Sequence, residues 1–285
     1  MPRLHLALFT ATTLFFACAP ATPIRRSALV PINAPPVRVG APLLDGYTQL
    51  SAEIGASTDA TTLYGVIRGA QPGDVGLYIP ALSVGASVYH AFGAVELGAH
   101  LRYSSLSWSH PSSVGVLPIP AEASAFSLNG GLGLRFNVRA VEGRVTFSPL
   151  LELNVVNITE AQYFCASCRE GQNVSDSAYR YEGQVSTLSL LPKLGAICDV
   201  RIAEVVHLYG GLSLQMGFGN VGFDNDLNTR GFGSVHATLV GLPMAGVALD
   251  VGGLAFASTL SFPLQEGRSP EGLGLSVSLG YRWGS

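Results

Sequence analysis

The chain has 285 residues, of which 48% are hydrophobic and 12% are charged; soluble domains usually carry ~25% charged residues. The mean hydropathy is +0.36, yet after the amino-terminal region there is no uncharged apolar run of the ~18 residues that a membrane-spanning helix needs. The net charge of −3 argues against a nucleic-acid partner.

Residues 1–21 have the layout of a secretory signal peptide, with Arg3 followed by an apolar stretch and then by small residues. Two interpretations of its processing stay open. Residues 15–18, Phe-Phe-Ala-Cys, resemble a bacterial lipobox, so that the signal of a lipoprotein would end at Cys18 and its thiol would carry lipid. Cleavage after Ala21 fits the sequence Ala-Pro-Ala equally well.

The next stretch, residues 22–44, contains five prolines and little hydrophobic pattern. Such a composition is typical of an extended linker. We therefore predict a disordered, proline-rich periplasmic tether here, followed by one folded domain over residues 45–285.

Apolar and polar side chains alternate through most of that domain. Successive side chains of a strand point to opposite faces, so each alternating segment has one apolar and one polar face. The fourth candidate strand runs from Phe126 to Phe136, close to the ~9–11 residues that cross a membrane. Ten candidates follow this pattern, at about 47–56, 78–90, 95–103, 126–136, 145–155, 186–200, 206–218, 235–250, 253–263 and 273–283.

The lengths of the connections alternate as well. Short connections lie at 90–93, 139–143, 199–204 and 250–252, and long ones at 57–76, 106–122, 157–184, 219–234 and 264–272. Transmembrane barrels have short periplasmic turns and longer outer loops. The sequence therefore predicts an all-β fold, an antiparallel transmembrane β-barrel of about ten strands.

Some residues fit this barrel poorly. Pro149, Pro192 and Pro243 fall inside predicted strands, where each should require a bulge or a broken ladder. The strands at 186–200 and 235–250 would turn apolar side chains inward, namely Leu191, Ile197, Val240 and Leu242. The alternative fold is a periplasmic β-sandwich or lipocalin-like lipoprotein, which would bury its apolar faces and leave Arg135 and Glu96 in water.

The export signal, the alternating strands and the terminal Tyr281-Arg282-Trp283 resemble the small outer-membrane β-barrel proteins of Gram-negative bacteria, of the OmpA/OmpX type. The resemblance is architectural and covers roughly residues 45–283. It implies a place in the bacterial outer membrane, contact with outer-membrane lipid, and folding by the barrel assembly machinery, which recognises a last strand ending in an aromatic residue. Gly284 and Ser285 follow that aromatic. No functional motif comes with the resemblance.

Charged side chains on the predicted inner face are the main candidates for a site. A barrel of eight to ten strands is nearly filled by its own side chains, so we expect opposite charges to pair and close the lumen. A narrow pore that favours anions is the alternative. The candidates are Glu53, Glu96, His100, Arg102, Arg135, Arg144, Glu152, Lys193 and Arg282.

Function is expected to reside in the outer loops, because long polar loops on a rigid scaffold usually carry binding. We predict a structural scaffold or adhesin that contacts other envelope proteins, without enzymatic activity, metal or cofactor. Cys165 and Cys168 should form a small disulfide in the longest outer loop. The loop sequence Ser107-Trp-Ser-His110 is a weak candidate for a hydrolase because it lacks a third catalytic partner.

Overall fold

The computed structural model describes residues 24–31, 40–57, 62–64, 75–78, 80–107, 112–114, 117–119, 124–164, 180–219, 236–264 and 272–284. These residues contain sixteen strands. In chain order the strands are β1 (Ile24–Pro31), β2 (Thr48–Ser57), β3 (Thr62–Tyr64), β4 (Val75–Tyr78), β5 (Leu82–Phe92), β6 (Val95–Ser107), β7 (Ser112–Val114), β8 (Leu117–Ile119), β9 (Ser124–Phe136), β10 (Val138–Ala140), β11 (Val145–Phe164), β12 (Arg180–Arg201), β13 (Val206–Gly219), β14 (His236–Val251), β15 (Leu254–Ser261) and β16 (Gly274–Trp283). Over the same ranges, no helix is long and apolar enough to cross a membrane.

Ten of these strands form a closed antiparallel wall. Around the barrel the order is β2, β5, β6, β9 and then β11 to β16, and β16 pairs with β2 to complete the circle. The closing ladder runs from Gly274 opposite Ser57 to Trp283 opposite Thr48. Because closure gives every wall strand two neighbours, no edge strand is left. The predicted fold class and the predicted strand number are confirmed.

The outside of the wall is apolar. Along β9, exposed Leu128, Leu132 and Leu134 alternate with buried Asn129 and Arg135. A continuous apolar exterior suits lipid tails, and the architecture is that of an integral outer-membrane β-barrel. The β-sandwich or lipocalin-like alternative is wrong, because the side chains that it leaves in water are buried.

The short connections lie together at one end of the wall, which is the periplasmic end of such a barrel. They join β5 to β6 through 93–94, β9 to β11 through 137–144, β12 to β13 through 202–205, and β14 to β15 through 252–253. The predicted positions of the short turns are therefore confirmed. The strand β10 falls inside the second of them and pairs with the first residues of β11.

Each of the three internal prolines lies inside the ladder to one neighbouring strand and just outside the ladder to the other. The ladder from β11 to β9 begins one residue after Pro149, the ladder from β12 to β13 one residue after Pro192, and the ladder from β14 to β15 one residue after Pro243. A proline has no N–H to donate, and on the side where each ladder stops there is no ladder residue that would accept a hydrogen bond from it. The broken ladder, one of the two expected alternatives, is therefore what occurs at these prolines. No bulge is described at them; the register shift between β11 and β12 lies at Gln162/Tyr163.

Two parts of the stretch predicted as a disordered tether have described positions and contact the barrel. β1 pairs antiparallel with the outer end of β11, with Ile24 opposite Phe164, and it pairs in parallel with β4. Farther along, Ala41 and Leu43 are 2% and 1% exposed inside the wall. We call the described residues 24–31 and 40–43 the inserted segment. Pro31, Ala41 and Leu43 of this segment are buried against the inner wall. Residues 1–23, with Cys18 and the signal peptide, and residues 32–39 lie outside the described residues.

We expect Leu132→Arg to lower the free energy of unfolding by ~2–4 kcal/mol, because it places a cation on the lipid face near the bilayer midplane. Denaturant titration of the protein folded in lipid vesicles measures the change. Ile202→Arg is the matched control: both side chains are 60% exposed, but Ile202 lies in the turn between β12 and β13. Ile202→Arg should lower the free energy of unfolding by only ~0–1 kcal/mol, because an arginine near the membrane interface stays in contact with water. Equal losses at both positions would contradict a wall embedded in lipid.

Candidate functional site: the barrel lumen

Most of the predicted inward charges lie inside the barrel. Arg102, Arg135, Glu96, Glu152, His100 and Lys193 are buried, and Glu53 and Arg282 are half-buried. Arg144 is a correction: it is exposed in the turn before β11. Since β11 begins at Val145, the alternation that predicted Arg144 to face inward does not extend to this residue.

Three polar pairs lie at mid-height in the lumen. Arg102 donates from Nε to Glu53 Oε1. Lys193 Nζ is 3.6 Å from Glu152 Oε2. His100 Nε2 is 2.6 Å from Asn154 Oδ1, and Asn154 in turn donates to the carbonyl oxygen of Leu191. The members of each pair lie on adjacent strands or two strands apart, so the pairs follow the wall instead of crossing the lumen.

Glycines on the intervening strands make two of these pairs fit. Glu53 on β2 and Arg102 on β6 meet across Gly85 on β5, where an added Cβ would lie 2.9 Å from Glu53 Oε1. His100 on β6 and its partner on β11 meet across Gly131 on β9, where an added Cβ would lie 2.9 Å from His100 Nε2. A Cβ at either glycine would push the paired groups apart.

A second cluster of polar side chains lies at the periplasmic end of the lumen. His207 Nδ1 is 2.9 Å from Asp199 Oδ1. Arg282 Nη1 donates to Asp250 Oδ2 at 2.7 Å, and its Nε donates to Gln49 Oε1 at 2.7 Å. Sequence analysis missed both aspartates because they stand at strand ends, next to turns. Continuing the inward alternation of β12 and β14 to their last residues would have found them.

Two arginines hold the inserted segment by its main chain. Arg135 Nη1 donates to the carbonyl oxygen of Gly40 at 3.0 Å, and Arg282 Nη2 donates to the carbonyl oxygen of Ala41 at 3.1 Å. Both side chains come from the inner wall near its periplasmic end. They satisfy carbonyl groups that would otherwise be buried without a partner.

The other two wall contacts are also made to main-chain atoms. The amide of Leu43 donates to Glu96 Oε1 at 2.8 Å, and Gln215 Nε2 donates to the carbonyl oxygen of Pro31 at 2.7 Å. Asn137 holds the same Glu96 oxygen in place at 2.8 Å. These four side-chain contacts and the β1–β11 ladder join the inserted segment to the wall.

One sector of the inner wall is apolar. The sequence placed four apolar side chains inward on β12 and β14, and all four are buried, at 1% exposure or less. Together with neighbouring side chains they make a dry surface beside the charged one. The buried apolar residues of this sector are Leu150, Leu191, Ile197, Tyr209, Val240, Leu242, Met244, Ala248 and Ala257.

Several candidates lie outside the described residues, including Cys165, Cys168 and the loop residues 108–110. Cys198 is exposed on the lipid face, as its position in the strand predicts. Among the residues with described positions, no group of three or more His, Cys, Asp or Glu side chains is arranged to hold a metal ion.

The chain matches no protein-family model and no curated protein. It is similar to LpxR from Salmonella typhimurium, with 11% identity and a TM-score of 0.40 over 82% of this chain and 99% of that one. It is similar to the COG4313 outer membrane channel from Pseudomonas putida F1, with 9% identity and a TM-score of 0.44 over 88% and 100%. The outer membrane protease OmpT from Escherichia coli gives 7% identity and a TM-score of 0.34 over 94% and 98%. These similar structures thus include both a channel and a protease.

Arg102→Met should lower the free energy of unfolding by about 3–5 kcal/mol, because it leaves Glu53 buried without its cation. The double variant Glu53→Gln/Arg102→Met should recover most of that loss, since neutral groups then replace both charges. Arg144→Met, in an exposed turn, is the control and should stay within ~0.5 kcal/mol of the parent. Denaturant titration in vesicles measures all three. A double variant as unstable as Arg102→Met would show that the pair is not the source of the effect.

Proposed function

We propose that this outer-membrane β-barrel is a closed interaction scaffold that binds another envelope protein, or a surface, through its outer loops. The observation that carries the proposal is the β11–β12 hairpin. Its strands have 20 and 22 residues, about twice the ~9–11 that cross a bilayer. They pair with each other from Val145 opposite Val200 to Phe164 opposite Arg180.

The outer half of this hairpin extends beyond the neighbouring wall. β12 pairs with β13 only from Lys193 onward, so its residues 180–192 are paired with β11 alone among the described strands. A long paired hairpin is a rigid support for a binding tip. The tip comprises residues 165–179, which include Cys165 and Cys168, and a disulfide between these cysteines would constrain the tip further.

β1, β4 and β3 add to the platform at the outer end. β1 continues the sheet from β11, and β4 and β3 follow it side by side. We also expect the barrel assembly machinery to insert this chain, through a last strand that ends at Trp283.

A narrow anion-favouring pore is the competing hypothesis, and the charges in the lumen favour the scaffold. Among the described inward side chains, five are acidic and four are Arg or Lys, so the wall has no basic excess. These side chains are Glu53, Glu96, Glu152, Asp199, Asp250, Arg102, Arg135, Lys193 and Arg282. The proposal includes no catalytic step.

Reconstituted full-length protein should conduct little or no current in planar bilayers, because the inserted segment and the apolar sector occupy the lumen. Single-channel recording measures this directly, and heat-modifiable migration on a gel verifies that the sample is folded. Steady anion-selective current from the folded protein, abolished by Arg135→Glu, would favour the pore instead.

Replacing residues 165–179 by an Asn-Gly turn should abolish the binding of envelope partners. The two-residue turn keeps β11 and β12 paired, so only the tip is lost. Chemical crosslinking on intact cells, followed by purification of the barrel, measures the partners. Deletion of 266–270, in the loop before β16, is the control and should leave the crosslinks unchanged. Crosslinks that persist without the hairpin tip would contradict the scaffold proposal.

A further inference from the structure

We propose that the lumen is a binding site for an extended peptide segment, that the chain's own inserted segment occupies this site in cis, and that the wall around it is a latent pore. The inference goes beyond the scaffold proposal, because it concerns the lumen and not the hairpin tip.

The first observation is that the wall recognises main-chain atoms. All four hydrogen bonds described above between the wall and the inserted segment join a wall side chain to a peptide carbonyl or amide. The donors and the acceptor come from four different strands, β6, β9, β13 and β16. Wall side chains that bind peptide groups in this way are suited to hold a segment of main chain in the lumen.

The second observation is the fit at Gly40. This residue has φ +85°, and an added Cβ would lie 3.1 Å from the Cβ of Ala248 and 3.6 Å from that of Ala257. Both alanines are buried on the inner wall, and a Cβ cannot swing aside as the end of a long side chain does. The main chain therefore lies directly against the wall here, and only glycine combines this conformation with this closeness.

The third observation is the packing of Leu43. Its side chain is 1% exposed and clusters with the inward-facing Tyr89 and Ala91 of β5. Burial of the Leu43 side chain and the main-chain hydrogen bonds both stabilise the inserted segment in the lumen. The same two interactions stabilise a peptide ligand in a binding site.

The wall does not need the inserted segment for its closure. The ten wall strands begin at Thr48, and their ladders complete the circle without β1. Removing the segment should therefore leave a closed barrel. It would open a lumen lined near its periplasmic end by Arg135, Arg282 and Glu96.

The test begins with one substitution and its control. Gly40→Val should dislodge the segment and produce steady current in planar bilayers where the parent protein is silent. Gly143→Val imposes a similar backbone penalty, since Gly143 has φ +76°, but an added Cβ there meets nothing within 4 Å. It should stay silent. A folded, heat-modifiable Gly40→Val that conducts no current overturns the inference, and so does current from Gly143→Val.

A deletion tests the same inference without a clash. A variant lacking residues 24–43, with the export signal retained, should fold and conduct, and a synthetic peptide of residues 24–43 should block the current. The same peptide with Gly40→Val should fail to block it. A silent folded deletion variant, or equal block by both peptides, overturns the inference. If neither the deletion variant nor Gly40→Val folds, the segment is part of the folding core and not a ligand, which also overturns it.

These outcomes are separate from those of the scaffold proposal. That proposal fails if the unaltered protein conducts or if the hairpin tip is dispensable for crosslinking. The latent-pore proposal fails if the folded Gly40→Val and deletion variants conduct no current.

Discussion

The closed ladder between β16 and β2 is the constraint on which the rest of this structure depends. In hydrocarbon an unpaired N–H or carbonyl costs several kcal/mol, so a sheet can cross a membrane only when its last strand pairs with its first. Closure fixes which face of every strand meets lipid. It also explains where the prolines stand: each of Pro149, Pro192 and Pro243 lies one residue outside a ladder, where the missing N–H has no partner to lose.

A ten-stranded wall encloses little space, and this limits the size of the side chains that its inner face can carry. Glycines such as Gly85 and Gly131 let polar side chains from the strands on either side meet above them. The charges therefore pair along the wall at mid-height, while a separate group with Asp199 and Asp250 gathers at the periplasmic end. The described part of the inserted segment buries main-chain groups against the inner wall, and buried main-chain groups require hydrogen-bonding partners. The four contacts to the inserted segment meet that requirement.

The two proposals place function at opposite ends of the same strands. The β11–β12 hairpin is paired over residues that β13 does not contact in the ladder, and the scaffold proposal places binding at the end of this hairpin. The lumen holds a segment that is bonded to Arg135 and Arg282 near the periplasmic end and paired with β11 at the outer end. Because β11 contacts both the hairpin partner and β1, the two regions are joined through one strand.

The sequence by itself determined the barrel. Strict alternation in segments such as Phe126 to Phe136 fixed the lipid face, and the alternating connection lengths fixed the strand number and the periplasmic end, because both are local properties of the chain. Only the tertiary structure decided which polar side chains pair, since those pairs depend on strand register and two of them meet across a glycine on the intervening strand. It also decided the place of the inserted segment: its contacts to Arg135 and Gln215 join residues 95 and 184 positions apart, and no local pattern in a proline-rich stretch encodes partners so distant.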